Sequence, residues 1–241
     1  MVGIRRAIAL LFLGFYVTQF TMTAWLGPDE LFAAYLGLGL CYLTAFVGLA
    51  AEWFWARWFA IGLGQFGALL LLVLFKTGME PIIAFVGGTH LLISVLLMGE
   101  GMAAKYEHSE RTAERYNFQE ESMALMRRAV KSAGSTLPFL ILYGLAPREE
   151  MFTANLAALA LGGAGMVALL RRRTWGLFAL GGAGAIALAD GLGFLGQRSI
   201  GFLALSWDMS PTLYGPFGIA AGAMLVVPLL FARPILRWMR S

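Results

Sequence analysis

Residues 175–195 have the sequence WGLFALGGAGAIALADGLGFL, which is almost entirely apolar. It carries one charge, Asp190, in 21 residues. At about 1.5 Å per residue, a helix of that length spans roughly the 30 Å hydrocarbon core of a bilayer. Similar apolar stretches recur along the chain and predict about eight transmembrane helices, at 7–26, 31–51, 58–75, 82–99, 129–146, 151–170, 175–195 and 211–231.

The composition of the 241 residues indicates the same class of protein. Apolar residues make up 59% of the chain and charged residues 13%, against roughly 45–50% and 25% in soluble domains. The mean hydropathy is +0.74. These values exclude a soluble globular enzyme and a disordered chain. They predict an all-α integral membrane protein surrounded by the lipid bilayer.

Positive charge predicts the orientation, because cytoplasmic loops of membrane proteins are enriched in Lys and Arg. With the N-terminus inside, fifteen of the 18 Lys and Arg residues fall on the inner side and three on the outer side. Both termini are therefore expected in the cytoplasm, with a bacterial inner membrane as the location and no nucleic-acid partner. The fifth span, 129–146, has a polar inner half. If it does not cross, seven spans remain and the later ones invert.

The chain also repeats itself, as many membrane proteins do. Four sets of residues match in order: 5–7 with 127–129, then 28 and 30–32 with 147 and 150–152, then 58, 64 and 67 with 175, 181 and 184, then 79–81 with 209–211. Four spans per half is an even number, so both halves face the same way. We expect two parallel four-helix repeats, 1–99 and 129–241, related by a twofold axis. The alternative is that short helical hairpins share similar end residues by chance.

The segment 100–128 between the halves is rich in charge and is expected to be a cytoplasmic helical linker. Glu107 and Arg111 are four residues apart, the spacing of a helical ion pair, and they predict a solvated helix that continues the fourth span. A plain connection and a docking segment for a cytoplasmic protein partner are both compatible with this composition.

His90 is the only histidine within a predicted span, and ionisable groups at that depth are costly without a partner or a function. A neutral imidazole bonded to another helix, a proton-exchanging group and a pigment ligand are the alternatives. Ser94 lies one turn further on, but no acid completes a hydrolase site. Gln65 is expected at a similar depth. Two histidines and the single Cys41 do not supply three zinc ligands, so no metal or cofactor is expected.

Two opposite charges lie near the outer ends of the third and seventh spans, Lys76 and Asp190. The repeat offset of 117 places Asp190 level with residue 73, about one turn from Lys76. The two are expected to face each other between the repeats, as a structural ion pair or as part of a path.

Helix interruptions at matching positions of two repeats are typical of solute sites. Gly87 and Gly88 in the fourth span correspond to Gly215, Pro216 and Gly218 in the eighth. Proline removes a backbone hydrogen bond and glycine permits unwinding, so open backbone is predicted there, with a packed kink as the alternative. The Gly-x-Gly-x-x-Gly segments at 62–67 and 191–196 lie within spans and indicate helix packing, not dinucleotide binding.

No catalytic constellation is present in the sequence, and the chain is not expected to be an enzyme. The expected function is a transporter or channel for an ion or small solute. Its path would run between the repeats past His90, Gln65, Asp190 and Lys76 and the glycine and proline positions above. The alternative is a non-catalytic structural or assembly subunit of a larger membrane complex, with protein partners at 100–128 or on the lipid-facing helices.

Cysteine labelling from each side of the membrane tests this topology. Single cysteines replacing Asp29 and Arg148, in a Cys41→Ala background, should both react with an impermeant maleimide from outside only, because both positions lie in outer loops. A cysteine replacing Gln119 should react only from inside. Labelling of the first two positions from opposite sides would contradict the eight-span topology.

Overall fold

The computed structural model describes residues 2–110, 112, 120–145, 152–171, 173–195, 211–230 and 232–233, and these residues contain helices and no β-strand. The first half contains α1 (Val2–Leu26), a 3₁₀ turn (Asp29–Leu31), α2 (Phe32–Ala50), α3 (Ala56–Ala68), α4 (Leu70–Thr77) and α5 (Pro81–Leu97). A short α6 (Glu100–Tyr106) follows. The second half contains α7 (Glu120–Leu145), α8 (Phe152–Leu170), α9 (Trp175–Gly191) and α10 (Pro211–Leu230).

Every predicted span coincides with a helix, and the third is divided into α3 and α4. By length and apolar composition α1 and α2 are able to cross a membrane. Helices α5 and α6 form a third such segment when they are taken as one bent span. Shorter apolar helices cover Ala56–Leu72, Leu156–Leu170 and Trp175–Gly191. Two or three membrane-capable helices are thus found in the described part of the chain, and eight spans stay a prediction.

Helices α1, α2, α3 and α5 form a closed ring in which each packs against the next and α5 returns to α1. Short connections between long helices produce antiparallel neighbours of this kind. The inside of the ring is filled by large side chains that are almost fully buried, among them Leu13, Tyr16, Tyr42, Leu63 and Ile93. We call this ring the first unit.

Helices α7, α8, α9 and α10 form a second ring with the same order of contacts, the second unit. Gly64 and Gly67 of α3 lie directly against α5, and Gly181 and Gly184 of α9 lie directly against α10. These four glycines are the ones that the offset of 117 matches in the sequence. Because small residues let helix backbones approach closely, equivalent glycines occur at equivalent helix contacts. This agreement supports duplication, which stays an interpretation.

The two units meet where α7 packs against α3 and α2. A Cβ at Gly62 would overlap the backbone of α7, and a Cβ at Gly134 would overlap the backbone at Phe59. A twofold axis would bring α9 against α1 in the same way. In the described residues those two helices make no comparable contact. The seam therefore joins the third helix of one unit to the first helix of the next, and the predicted twofold relation does not describe it.

The polar inner half of the fifth predicted span is buried in α7. The Thr136 hydroxyl donates to the Ser132 carbonyl at 2.8 Å, and the Ser135 hydroxyl donates to the Lys131 carbonyl at 3.0 Å. The Ser132 hydroxyl donates to the Met224 carbonyl of α10. Hydroxyls that bond to backbone carbonyls cost little when buried, so these residues are compatible with a packed helix.

The predicted solvated continuation of the fourth span is wrong. Helix α5 ends at Leu97, Gly99 adopts a φ of +96°, and α6 leaves at an angle of 74° to α5. Glycine takes this left-handed conformation without the steric cost of a Cβ. Glu107, at the end of α6, is buried, while Arg111 lies outside the described residues. The start of the linker segment, through Glu107, thus folds back onto the first unit.

Substitution of the seam glycine Gly134 tests the close contact between the units. Gly134→Ala should lower the free energy of unfolding by about 1–3 kcal/mol, because the new methyl group meets backbone that cannot rotate away. Gly88→Ala is the matched control, since a Cβ there meets nothing within 4 Å. It should be neutral or stabilising, by up to about 1 kcal/mol from helix propensity. Thermal unfolding in mild detergent measures both, and equal stability of the two variants would contradict the packing.

Candidate functional site

His90 lies inside the first unit, on the face of α5 that looks toward α1, α2 and α3. Its side chain is almost fully buried, with 1% exposure. Gly67 of α3 makes this position possible, because a Cβ there would overlap the imidazole ring. The ring of Tyr16 from α1 lies 4.2 Å away, centroid to centroid. The prediction that His90 faces the interface between the repeats is wrong, since its neighbours all belong to one unit.

Both nitrogens of the His90 ring have partners. Nδ1 lies 2.7 Å from the Val86 carbonyl oxygen, one turn earlier on α5. A carbonyl only accepts, so Nδ1 carries the proton. In the neutral ring Nε2 is then an acceptor, and the Tyr42 hydroxyl of α2 donates to it at 2.6 Å. The imidazole is therefore held as a neutral ring with one defined tautomer.

The same polar cluster extends to Tyr16 and Thr89. The Thr89 hydroxyl donates to the Phe85 carbonyl at 2.7 Å, so its oxygen is left to accept. The Tyr16 hydroxyl lies 2.5 Å from that oxygen and is the donor. We call Tyr16, Tyr42, Thr89 and His90, with the Val86 carbonyl, the His90 network. Each proton in the network points at an acceptor within it or at α5 backbone.

Ser94 does not pair with His90. Its hydroxyl donates to the Ile61 carbonyl of α3 at 3.1 Å, and a Cβ at Gly64 would overlap the serine oxygen. The serine is thus used to bind α5 to α3. This contact removes the geometric basis for nucleophilic chemistry at that position.

The predicted helix interruptions do not occur. Helix α5 is continuous through Gly87 and Gly88, and the α10 backbone is helical from Pro211 to Leu230. Glycine keeps its backbone N–H, so it need not break the ladder of hydrogen bonds. Gly87 serves packing instead, because a Cβ there would meet Leu71. The residues Gly215, Pro216 and Gly218 lie within α10, but their side-chain surroundings are outside the described part of the chain.

The other predicted site residues lie on helices that belong to different units. Gln65 is half-buried on α3. Asp190 is buried on α9, which packs against α8 and α10 in the second unit. Lys76 belongs to α4, which packs against α5 and α3 in the first unit, and its side chain lies outside the description. The predicted approach of Lys76 to Asp190 therefore finds no support in the helix contacts.

A second polar cluster, at the helix ends that are predicted to lie on the inner side, was missed by the sequence reasoning. Glu107 has a fully buried carboxylate that pairs with Arg57 of α3 and, at 2.5 Å, with Arg127 of α7. The Arg57 Nε also donates to the Leu97 carbonyl at 2.7 Å, at the end of α5. We call these three residues the inner ion cluster. Its members are 50 and 20 residues apart, so no helical spacing in the sequence points to it.

Neighbouring groups complete the inner end. Glu52, at a φ of +57° in the turn after α2, accepts from Arg6 at 2.5 Å and from Lys105 at 2.8 Å. The hydrogen bond from Lys105, aided by both positive charges, holds the pKa of Glu52 below its ordinary value of 4.5 against a smaller effect of burial. Burial raises the pKa of Tyr106 to about 12, so its hydroxyl stays protonated and donates to the Leu49 carbonyl.

The mid-span tyrosines were also missed, although the sequence holds a signal for them. Tyrosine in membrane proteins usually lies near the headgroups, where its hydroxyl reaches water. Tyr16 and Tyr42 instead lie near the middle of their predicted spans. A hydroxyl at that depth needs a partner within the protein, and such a pair near His90 indicates a hydrogen-bonded cluster.

Removing the Tyr42 hydroxyl tests the His90 network. Tyr42→Phe leaves Nε2 of a buried imidazole without a donor and should lower the free energy of unfolding by about 1–3 kcal/mol. Tyr35→Phe on the same helix is the matched control, because its hydroxyl makes no hydrogen bond to another described residue. Equal unfolding temperatures for both variants would show that the Tyr42–His90 bond is unimportant.

Neutralising Glu107 tests the inner ion cluster. Glu107→Gln leaves Arg57 buried without a counter-charge and should cost about 3–5 kcal/mol of stability. Glu100→Gln, at an exposed position of the same short helix, should change the unfolding temperature little. A Glu107→Gln protein as stable as wild type would mean that the carboxylate is not paired in solution.

The chain matches no known family model, no curated protein and no solved structure.

Proposed function

We propose that the chain is an eight-span membrane protein with both termini and the segment 100–128 in the cytoplasm, of the kind found in bacterial inner membranes. The support is the agreement between helices and predicted spans, together with the position of the basic residues. Arg5 at the start of α1 donates to the Met98 carbonyl just after α5 at 2.5 Å, and Arg57 at the start of α3 also contacts that end. Basic helix ends thus gather on one side, as the positive-inside rule requires.

We also propose that the two units are parallel repeats, 1–99 and 129–241. Both rings have the same order of contacts, and matched glycines lie at matched helix pairs. Arg5, near the start of α1, and Arg127, seven residues into α7, both lie at the end of the helices where the inner ion cluster forms, which supports the same direction for the two units. This repeat need not be symmetric at the seam.

For the function we infer a non-catalytic structural or assembly subunit of a larger membrane complex. One observation carries this proposal. The only intramembrane histidine has both nitrogens bonded inside one unit, in a network that ends on α5 backbone. An imidazole with both nitrogens hydrogen-bonded specifies how α1, α2 and α5 pack together. The lipid-facing helices and the segment 100–128 are the surfaces that remain for protein partners.

A transporter or channel for an ion or small solute is the second candidate, favoured by Asp190. This carboxylate is 4% exposed on α9, in the second unit, and intramembrane acids are typical of ion and proton pathways. Duplicated four-helix units are also typical of transporters. In this reading the path lies by Asp190 and not at His90 or the seam.

Flux and assembly measurements on the same protein separate the two functions. If the chain is a subunit, the full-length protein extracted from its native membrane in mild detergent should sediment as a complex well above its own 26.2 kDa, and the purified chain should pass no ions in proteoliposomes. If it is a transporter, the purified chain should carry flux that Asp190→Asn abolishes. His90→Gln is the control, because it should affect stability and leave such flux intact. Uptake that is lost in His90→Gln with a retained fold would contradict the structural role of His90.

A further inference from the structure

The end of α8 and the turn into α9 form a groove of about 480 Å³. Gly163 and Val167 are four residues apart and lie on one face of α8, and Arg171, four residues after Val167, continues that face just past the end of the helix. Arg173 from the turn and Trp175 from the start of α9 complete the groove. Neither the His90 network nor the inner ion cluster contributes to it.

Two guanidinium groups, those of Arg171 and Arg173, lie at the charged end of the groove. Arg171 and Arg173 are both exposed, and neither forms an ion pair with another residue in the described ranges. Their backbone amides are already used, because Arg171 N donates to the Val167 carbonyl at 3.1 Å and Arg173 N to the Ala168 carbonyl at 2.8 Å. The guanidinium groups of the two arginines therefore remain as hydrogen-bond donors for a ligand. Guanidinium groups match the geometry and charge of phosphate oxygens.

The remainder of the groove is apolar and open. Val167 is 50% exposed, and a Cβ at Gly163 would meet nothing within 4 Å. From Gly163 to Arg171 the helix rises by about 12 Å at roughly 1.5 Å per residue. Trp175, also exposed, lies beside the charged end, where an indole ring prefers the level of lipid headgroups.

We propose that this groove binds an anionic phospholipid, with its phosphate on Arg171 and Arg173 and an acyl chain along Gly163 and Val167. The proposal rests on the membrane topology above, which places the α8–α9 turn at the cytoplasmic face. A phospholipid combines a negative headgroup with an apolar chain in the order that the groove presents, running from the membrane surface inward. Basic pockets between helices on the cytoplasmic side recognise anionic headgroups in this way.

Native mass spectrometry of the full-length protein in mild detergent tests the site. The probes are phosphatidylglycerol, phosphatidylcholine with the same acyl chains, and inorganic phosphate. Wild type should retain phosphatidylglycerol in preference to phosphatidylcholine. The double variant Arg171→Gln, Arg173→Gln should bind it about 30-fold more weakly, at about 1 kcal/mol per arginine near a membrane surface.

Two matched controls separate this groove from the general charge and apolarity of the surface. Arg233→Gln removes an exposed arginine just after α10 and should leave phosphatidylglycerol binding within twofold of wild type. Val167→Trp fills the apolar strip without changing the charge and should weaken lipid binding. Val227→Trp, at a similarly exposed valine of α10, should not weaken it.

Three results would overturn the lipid site. They are equal phosphatidylglycerol binding by all variants, undiminished binding by Val167→Trp, and displacement of the lipid by millimolar inorganic phosphate, which would indicate a simple anion site. Alkaline carbonate extraction of the same membranes checks the topology separately. If wild type stays in the pellet, those results count against the lipid site alone. Release of wild type into the supernatant would overturn the eight-span proposal itself.

Discussion

The carboxylate of Glu107 is the group on which the joining of the two halves depends. It is buried between Arg57 of α3 and Arg127 of α7. Glu107, at the end of α6, reaches this position because the chain bends by 74° between α5 and α6, at Gly99. A buried carboxylate without partners costs several kcal/mol, so the bend, the ion pairs and the approach of α7 to α3 require one another. The glycine contact between Gly62 and the α7 backbone lies one to two turns deeper along the same two helices. The ion pairs of Glu107 join the two units at one end of the seam, and close packing of the α3 and α7 backbones joins them further along it.

The seam also explains why two similar units are not arranged symmetrically. In the first unit, Phe59 and Gly62 of α3 face α7, whereas the equivalent positions of α9, Gly176 and Ala179, face α8. Gly176 lets the α8 backbone approach so closely that this face of α9 is already covered within its own unit. The same face of α3 is left for α7. The two matched positions thus differ in side-chain volume and in the helix that they face.

Sequence patterns predicted the helices well and their neighbours poorly. Apolar length located the described helices other than α6, because a stretch of about 20 apolar residues is long enough to form a helix; only the third stretch is divided, into α3 and α4. The glycines at 64, 67, 181 and 184, which the repeat offset matches in the sequence, lie at equivalent helix pairs in the structure. The partners of His90 and Glu107 were not predictable, since Tyr42 and Arg57 come from other helices and no periodicity links them. The prediction for Gly87 was also wrong, because a glycine allows a helix to unwind in one context and lets a neighbouring side chain pack closely against it in another.

The depth of His90 is what made it a candidate for transport, and the same depth explains its structural use. At a position without water every nitrogen must find a partner in the protein, and the cheapest partners are nearby helices of the same unit. Tyr42 supplies the donor and Val86 the acceptor. Protonating Nε2 would require Tyr42 to give up its hydrogen bond and turn its proton elsewhere, while Tyr16 and Gly67 leave the ring no space to move. A solute-exchanging group needs a free lone pair or a vacant approach, and His90 has neither. A histidine provides one donor and one acceptor on a single small ring. It therefore fixes α2 against α5 more specifically than an apolar side chain of the same volume would.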